Sequence, residues 1–366
     1  MTPHHDAPQA PGAGAYAARH LDPDLQHLVS LAEQAIMPAN TPTADSISEP
    51  MRRGLAATVA HASDAEETAA RFERAGSGRE AIAALVKKPT VMLMAARDFA
   101  AVAAQSPGAV GHSGVDALLA AGASPTQVVT VAQVVGYASF VVQLGAVADV
   151  LDLPDVPPHP DDDLVTIELD LEATRADLYT APWTSRLSPE MALTSDDPRW
   201  WPGVMEILNL YPEVAKALMD LHWVLFQRTA STDDLERLAA FAVSWVLRNQ
   251  PSLCAQASSM LNFETTSEAT QALVLEGPHA VPDPLQRAVI RLGVALGDHN
   301  SELPVQEVGL LRARGLSDEK IARIALAAAI SGWMTRLIAT LGGPATPVSP
   351  SSSSSAASPG SPTSRF

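Results

Sequence analysis

The chain has 366 residues, 47% of them hydrophobic and only 5% aromatic, with 41 acidic against 24 basic side chains and a formal net charge of −17. That length accommodates two domains with proper cores, and an alanine-, leucine- and valine-rich composition favours closely packed helices. The acidic balance argues against nucleic-acid and anionic-membrane partners, which call for a basic face.

Residues 1–20 are rich in Pro, Gly, Ala and His and read as a disordered arm. They contain no basic stretch followed by an apolar one, so they are not read as a signal peptide. Helices are expected over Met51–Phe72, Gly78–Lys88, Val91–Ala104, Ser113–Ala121 and Pro125–Leu151. The run from Val128 to Ala148 is free of charge and imitates a membrane span. Its Thr130, Gln133, Ser139 and Gln143, with Asp149 directly after, favour a buried core helix instead. Residues 152–200 read as an irregular linker with one alternating run, Val165–Leu171, that suits an extended segment.

The second half repeats the helical pattern. Candidates are Gly203–Asn209, Pro212–Arg228, Asp233–Arg248, Pro251–Leu261, Ser267–Glu276, Pro284–Leu296, Pro304–Arg314 and Asp318–Leu341. Residues 344–366 form a Ser/Pro tail of low complexity, read as disordered. The two halves end alike. LLAAGASPTQVVTVAQVVGYASFVVQLGAV aligns with LLRARGLSDEKIARIALAAAISGWMTRLIAT at an offset of 193 (315 − 122), pairing Gly122 with Gly315 and Ser124 with Ser317. In each, a glycine stops one helix and a serine caps the next. At this offset the charge-free helix matches one carrying Arg323 and Arg336, which again favours core over membrane. The expectation is an all-α protein made by tandem duplication, with helical domains over 21–151 and 201–343.

These residues resemble the carboxymuconolactone decarboxylase and alkylhydroperoxidase D superfamily. The first half is similar to its cysteine-free domains, most clearly in DALLAAGASPTQVVTVAQVVGYASFVVQ. The second half, from about 177 to 343, is similar to its alkylhydroperoxidase domains. There the resemblance rests on Ala242–Ser244, the segment around Cys254, EATQALVLEG, DPLQRAVIRLG and the closing hairpin. The resemblance implies a tandem alkylhydroperoxidase D-like helical bundle, a homo-oligomer and thiol chemistry. In that chemistry a cysteine attacks a hydroperoxide, a second cysteine closes a disulfide, and a glutamate with a histidine relays protons. Cys254 matches the attacking cysteine. The resolving position falls on Pro251, the histidine position on Ser258, and the relay position on Arg237, with Glu236 one place away. The motif is therefore degenerate, and an external small thiol or dithiol would have to serve as reductant.

The only cysteine, Cys254, rules out an intramolecular disulfide and suits a reducing, cytoplasmic setting. With Pro251 at the first helical position its sulfur falls in the first turn of a helix, where the dipole lowers a thiol pKa. Ser258, four residues on, shares that face. The plainer alternative is a small buried hydrophobe. Glu236 is a candidate relay, and a solvated surface acid is the commoner fate. His222 is the nearest mid-helix histidine, read as a surface residue with one polar contact; His279 and His299 fall in loops. Gln133, Tyr137 and Gln143 are polar core candidates of the first half. The histidines lack the short spacings of zinc sites, and no phosphate loop or nucleophile elbow is present, so neither metal nor cofactor is expected. Three functions stay open: a weak thiol peroxidase, a non-catalytic oligomeric binding or assembly protein, and a cysteine-free lactone decarboxylase or isomerase chemistry.

Overall fold

The computed structural model describes residues 12–38, 47–74, 90–154, 156, 208, 210–226, 235–247, 272–273, 280–297 and 304–341. Every regular element among them is a helix. The first half holds α1 (Ala13–Ala17), α2 (Pro23–Ile36), α3 (Glu49–Ala62), α4 (Glu66–Arg74), α5 (Val91–Gln105), α6 (Pro107–Ala120) and α7 (Pro125–Leu151). The second holds α8 (Pro212–Phe226), α9 (Leu235–Val246), α10 (Pro284–Gly297), α11 (Val305–Ala313) and α12 (Asp318–Leu341). The all-α expectation holds for these residues. The expected extended run at Val165–Leu171, the helices over Gly78–Lys88 and Pro251–Leu261, those over Gly203–Asn209 and Ser267–Glu276 apart from 208 and 272–273, and the 344–366 tail lie outside them.

α7 and α12 pack against each other at the centre. Both start sharply. Gly122 and Gly315 adopt φ of +91° and +87°, a left-handed turn that glycine enters without penalty. Ser124 then accepts from the Gln127 amide in a capping box, and Ser317 Oγ accepts from the Lys320 amide at 3.2 Å. From Val128 to Gly145 and from Ile324 to Leu341 every residue is buried. The most apolar stretches of these helices are long enough to cross a membrane, and they are 89% and 100% covered by the rest of the chain. Tyr137, Phe140 and Trp333 make a mutual ring cluster with centroids 5.5–5.8 Å apart. Trp333 lies on Gly136 so closely that a Cβ there would come within 2.2 Å of its ring. The crossing thus depends on a bare backbone at that point.

Around this pair, α3, α5 and α1 cover α7, while α9, α6 and α10 cover α12. α2 packs on α8. That contact is fastened by Arg52 of α3, whose guanidinium is buried and donates to Ile47 O, Ile36 O and Tyr211 Oη at 2.7–2.9 Å. Tyr211 Oη in turn donates to Ala35 O at 2.6 Å, so both side chains satisfy last-turn carbonyls of α2. The buried apolar residues of both halves form one continuous cluster from Ala13 to Leu341.

Four expectations need correction. Within the expected 1–20 arm, residues 12–20 are packed on the fold, with Ala13, Ala17 and Ala18 buried. α2 was not expected at all, although Asp22 caps it through the Leu25 amide and Pro23 opens it. The single helix over Met51–Phe72 is two, broken where Asp64 takes a positive φ of 52°. The helix expected from Ser113 begins at Pro107, at the first helical position where a missing amide costs nothing.

Candidate functional site

α9 positions the one expected catalytic residue that falls within the described part. Glu236 sits in its first turn and is only 6% exposed. Its Oε1 accepts from Lys320 Nζ at 2.9 Å and from Arg323 Nε at 3.0 Å, both on the first turns of α12. The solvated surface acid is thus corrected to a buried acid held by two cations. Proximity on α12 explains this: Lys320 and Arg323 are three apart and present their heads to one side. Arg237, on which the relay position falls, turns the other way and donates to Phe226 O at the end of α8, at 3.2 Å. Cys254 and Ser258 lie outside the described residues, as do Pro251, His279 and His299.

Next to this triad, α2, α8 and α12 enclose an open groove of about 490 Å³. Leu25, Leu28 and Val224 line it with apolar surface, and Asp24, His27 and Arg323 supply polar groups. Arg323 therefore links the groove to Glu236. His222, one turn before Phe226 on α8, stacks on that ring with centroids 4.7 Å apart. Part of His222 stays open to solvent, yet the ring sits deep enough for desolvation to pull its pKa from 6.5 to about 4. It corrects the expected surface histidine to a packed, neutral one.

Deeper in, Ser244 of α9 shares hydrogen bonds with Ser331 at 3.1 Å and Thr335 at 2.9 Å on α12, and Ser331 donates to Ala240 O at 2.7 Å. This hydroxyl chain joins α9 to α12 beside the triad. Ser244 belongs to the Ala242–Ser244 motif, which by itself gives no sign that Ser331 and Thr335 lie opposite it. Among the first-half candidates, Gln143 Nε2 donates to Leu296 O at 2.7 Å, across to the second half. Gln133 and the Tyr137 phenol are fully buried without a hydrogen-bond partner among the described residues. No group of three His, Cys, Asp or Glu side chains among the described residues is placed to hold a metal ion. The chain matches no family model and no curated protein.

Proposed function

We propose that this chain is a degenerate member of the alkylhydroperoxidase-like superfamily, a duplicated helical protein that keeps a thiol at Cys254 and has weak or no peroxidase turnover. The observation that carries this reading is the double pairing of Glu236. A relay carboxylate must present an oxygen to the proton it moves. Here Lys320 and Arg323 both hold Oε1 and fix the carboxylate against α12, and the residue is buried. Arg237 is committed to the end of α8. Glu236, one place from the position on which the resemblance sets the relay acid, here ties α9 to α12. Cys254 then reacts with a hydroperoxide once, to a sulfenic acid, and recycling requires an added thiol. The cytoplasm, where small thiols are abundant, is the proposed setting.

The test follows alkyl hydroperoxide consumption by wild type, Cys254→Ser and Glu236→Gln, with and without added dithiol. Without dithiol the expected result is at most one equivalent of peroxide consumed per chain, with slow further consumption only when dithiol is added, both dependent on Cys254 and insensitive to Glu236→Gln apart from a loss of stability. Fast Cys254-dependent turnover overturns the loss of activity; fast turnover surviving Cys254→Ser overturns the thiol reading.

A second reading, a non-catalytic oligomeric binding or assembly protein, is favoured by the outer face of α5. Val91, Met94 and Val102 lie 72%, 54% and 43% exposed on one side of that helix. Self-association through this face predicts that Met94→Glu lowers the subunit number in light scattering. A wild-type monomer at micromolar concentration sinks it.

A further inference from the structure

Residues 12–20 cross the first half on the surface of α2, α4 and α7. Under them lies a set of polar side chains that the Glu236 triad does not use. Glu33 of α2 turns its carboxylate to the passing backbone, and its Oε2 accepts from the Gly14 amide at 3.1 Å. Tyr137 of α7 is fully buried and brings its phenol up against Gly14. Arg53 of α3 is buried, its Nε donating to Glu49 Oε1 at 2.8 Å and its Nη1 having no partner among the described residues. A Cβ on Gly12 would meet Glu33 Oε1 at 2.6 Å, and one on Gly14 would meet the Tyr137 oxygen at 2.3 Å. Only bare backbone lies flat on these groups.

The same segment is pinned on its outer side by charge. Tyr16 Oη donates to Asp149 Oδ1 at 2.8 Å. Arg19 reaches Asp149 at 2.8 Å and Asp152 at 2.6 Å, and His20 Nε2 lies 2.9 Å from Asp152 Oδ1. Arg71 of α4 stacks over the Tyr16 ring at 3.4 Å. What the segment buries is small: Ala13, Ala17 and Ala18. α1 is five residues long and has no side-chain cap of its own, so it does not persist unaided. Its attachment rests on two glycines and a ring of polar contacts, and not on a large apolar face.

We propose that residues 12–20 form a detachable strap that closes a polar recess made by Glu33, Arg53 and Tyr137, and that its closure depends on pH. Lifting it leaves α2, α3 and α7 in place and brings a carboxylate, a guanidinium and a phenol to solvent in one spot.

The groups that face the strap set the direction of the pH effect. They are Glu33 from α2, Glu49 and Arg53 from α3, Arg71 from α4, Tyr137 and Asp149 from α7, Asp152 after it, and Asp318 of α12, which faces His20. Burial pushes the Glu33 pKa up, outweighing the lowering by Arg53 and the α1 amides. Closure therefore gains as Glu33 takes up a proton and loses as pH rises through its raised pKa. The hydrogen bond from Arg19 pulls the Asp152 pKa down, so its contribution is present at ordinary pH and is lost as pH falls through that lowered value. The strap is tightest in mild acid, between the two.

Hydrogen exchange of the 12–20 amides, corrected for intrinsic rate, reads the strap directly in the full chain. Gly14→Val is expected to speed their exchange roughly tenfold or more, equivalent to about 1.4 kcal/mol, while the amides of α7 and α12 keep their protection. Glu33→Gln is expected to hold the strap and abolish its loosening toward neutral pH. A chain lacking residues 1–20 is expected to keep its helical circular dichroism and to show the Tyr137 phenol titrating nearer the ordinary tyrosine range. Loss of protection throughout the protein in Gly14→Val, or unfolding of the shortened chain, overturns the strap. Unchanged exchange at 12–20 in Gly14→Val does so as well, and an unaltered pH profile in Glu33→Gln overturns the pH dependence.

Discussion

Helices α7 and α12 each send one polar side chain to the end of a helix from the opposite half. Gln143 donates to the carbonyl of Leu296, the penultimate residue of α10, and Arg336 donates at 3.1 Å to that of Ala104, the penultimate residue of α5. Gln143 and Arg336 are 193 residues apart (336 − 143), the offset that aligns the two closing hairpins. Around this shared point the halves diverge. α12 carries Ser331 and Thr335 where the same offset places Ala138 and Val142 on α7. The first half packs apolar atoms there, and the second bonds hydroxyls to Ser244. A buried last-turn carbonyl must find a donor. Whether that donor is an amide or a cation is left to the side chain, and the cation is the costlier choice: burial lowers the Arg336 pKa to about 9.

The strongest way to break this comparison is at Arg336. Arg336→Ala removes a large buried side chain and orphans the Ala104 carbonyl, and is expected to lower stability by about 3 kcal/mol or more in chemical denaturation. Arg336→Gln copies the donor of the first half and is expected to lose less than half as much. Equal losses would mean that the cation, and not the donor, matters.

Ser244→Ala is expected to cost about 1–2 kcal/mol, because Ser331 and Thr335 lose a shared partner in a buried interface. Adding Ser331→Ala and Thr335→Val converts the contact to the apolar pattern of the first half, and part of the loss should return. A triple variant weaker than the sum of its parts would show that the two halves cannot exchange chemistry here.

Gly122→Ala and Gly315→Ala sharpen the likeness. No atom lies within 4 Å of a Cβ at either position, so only the backbone conformation is strained. Each should cost about 1 kcal/mol, and thermal midpoints that differ clearly between the two would count against equivalent turns. The last effect vanishes at neutral pH and is confined to acid. His222 is neutral in the fold with a pKa near 4 against 6.5 ordinarily, so the unfolded chain binds the extra proton and stability falls as pH drops through that window. His222→Leu should flatten the decline between pH 6.5 and 4.

Much of this fold was legible. The bounds of α7 and α12 were read as they stand, because a serine cap, a proline or acidic first turn and an unbroken apolar run all agree there. α1 fell within the expected arm and α2 in an unassigned stretch of the first domain, because short alanine and mixed-polarity segments show little helical pattern until α7 and α8 cover them. The break at Asp64 also escaped, since one left-handed residue leaves the flanking periodicity nearly intact. Of the site, the sequence supplied Glu236 as an acid worth naming and no sign of its partners. Lys320 and Arg323 are more than eighty residues away.

The sequence by itself determined the helical class, the two closing hairpins and which helices are apolar all round, since those follow from local spacing and caps. Only the tertiary structure decided what each buried polar group does. Whether a glutamate is solvated or clamped, a histidine open or packed, and an N-terminal segment free or fastened depends on which distant side chains arrive beside it. In a low-dielectric interior that neighbourhood, and not the residue type, fixes the energy of a charge or a hydrogen bond.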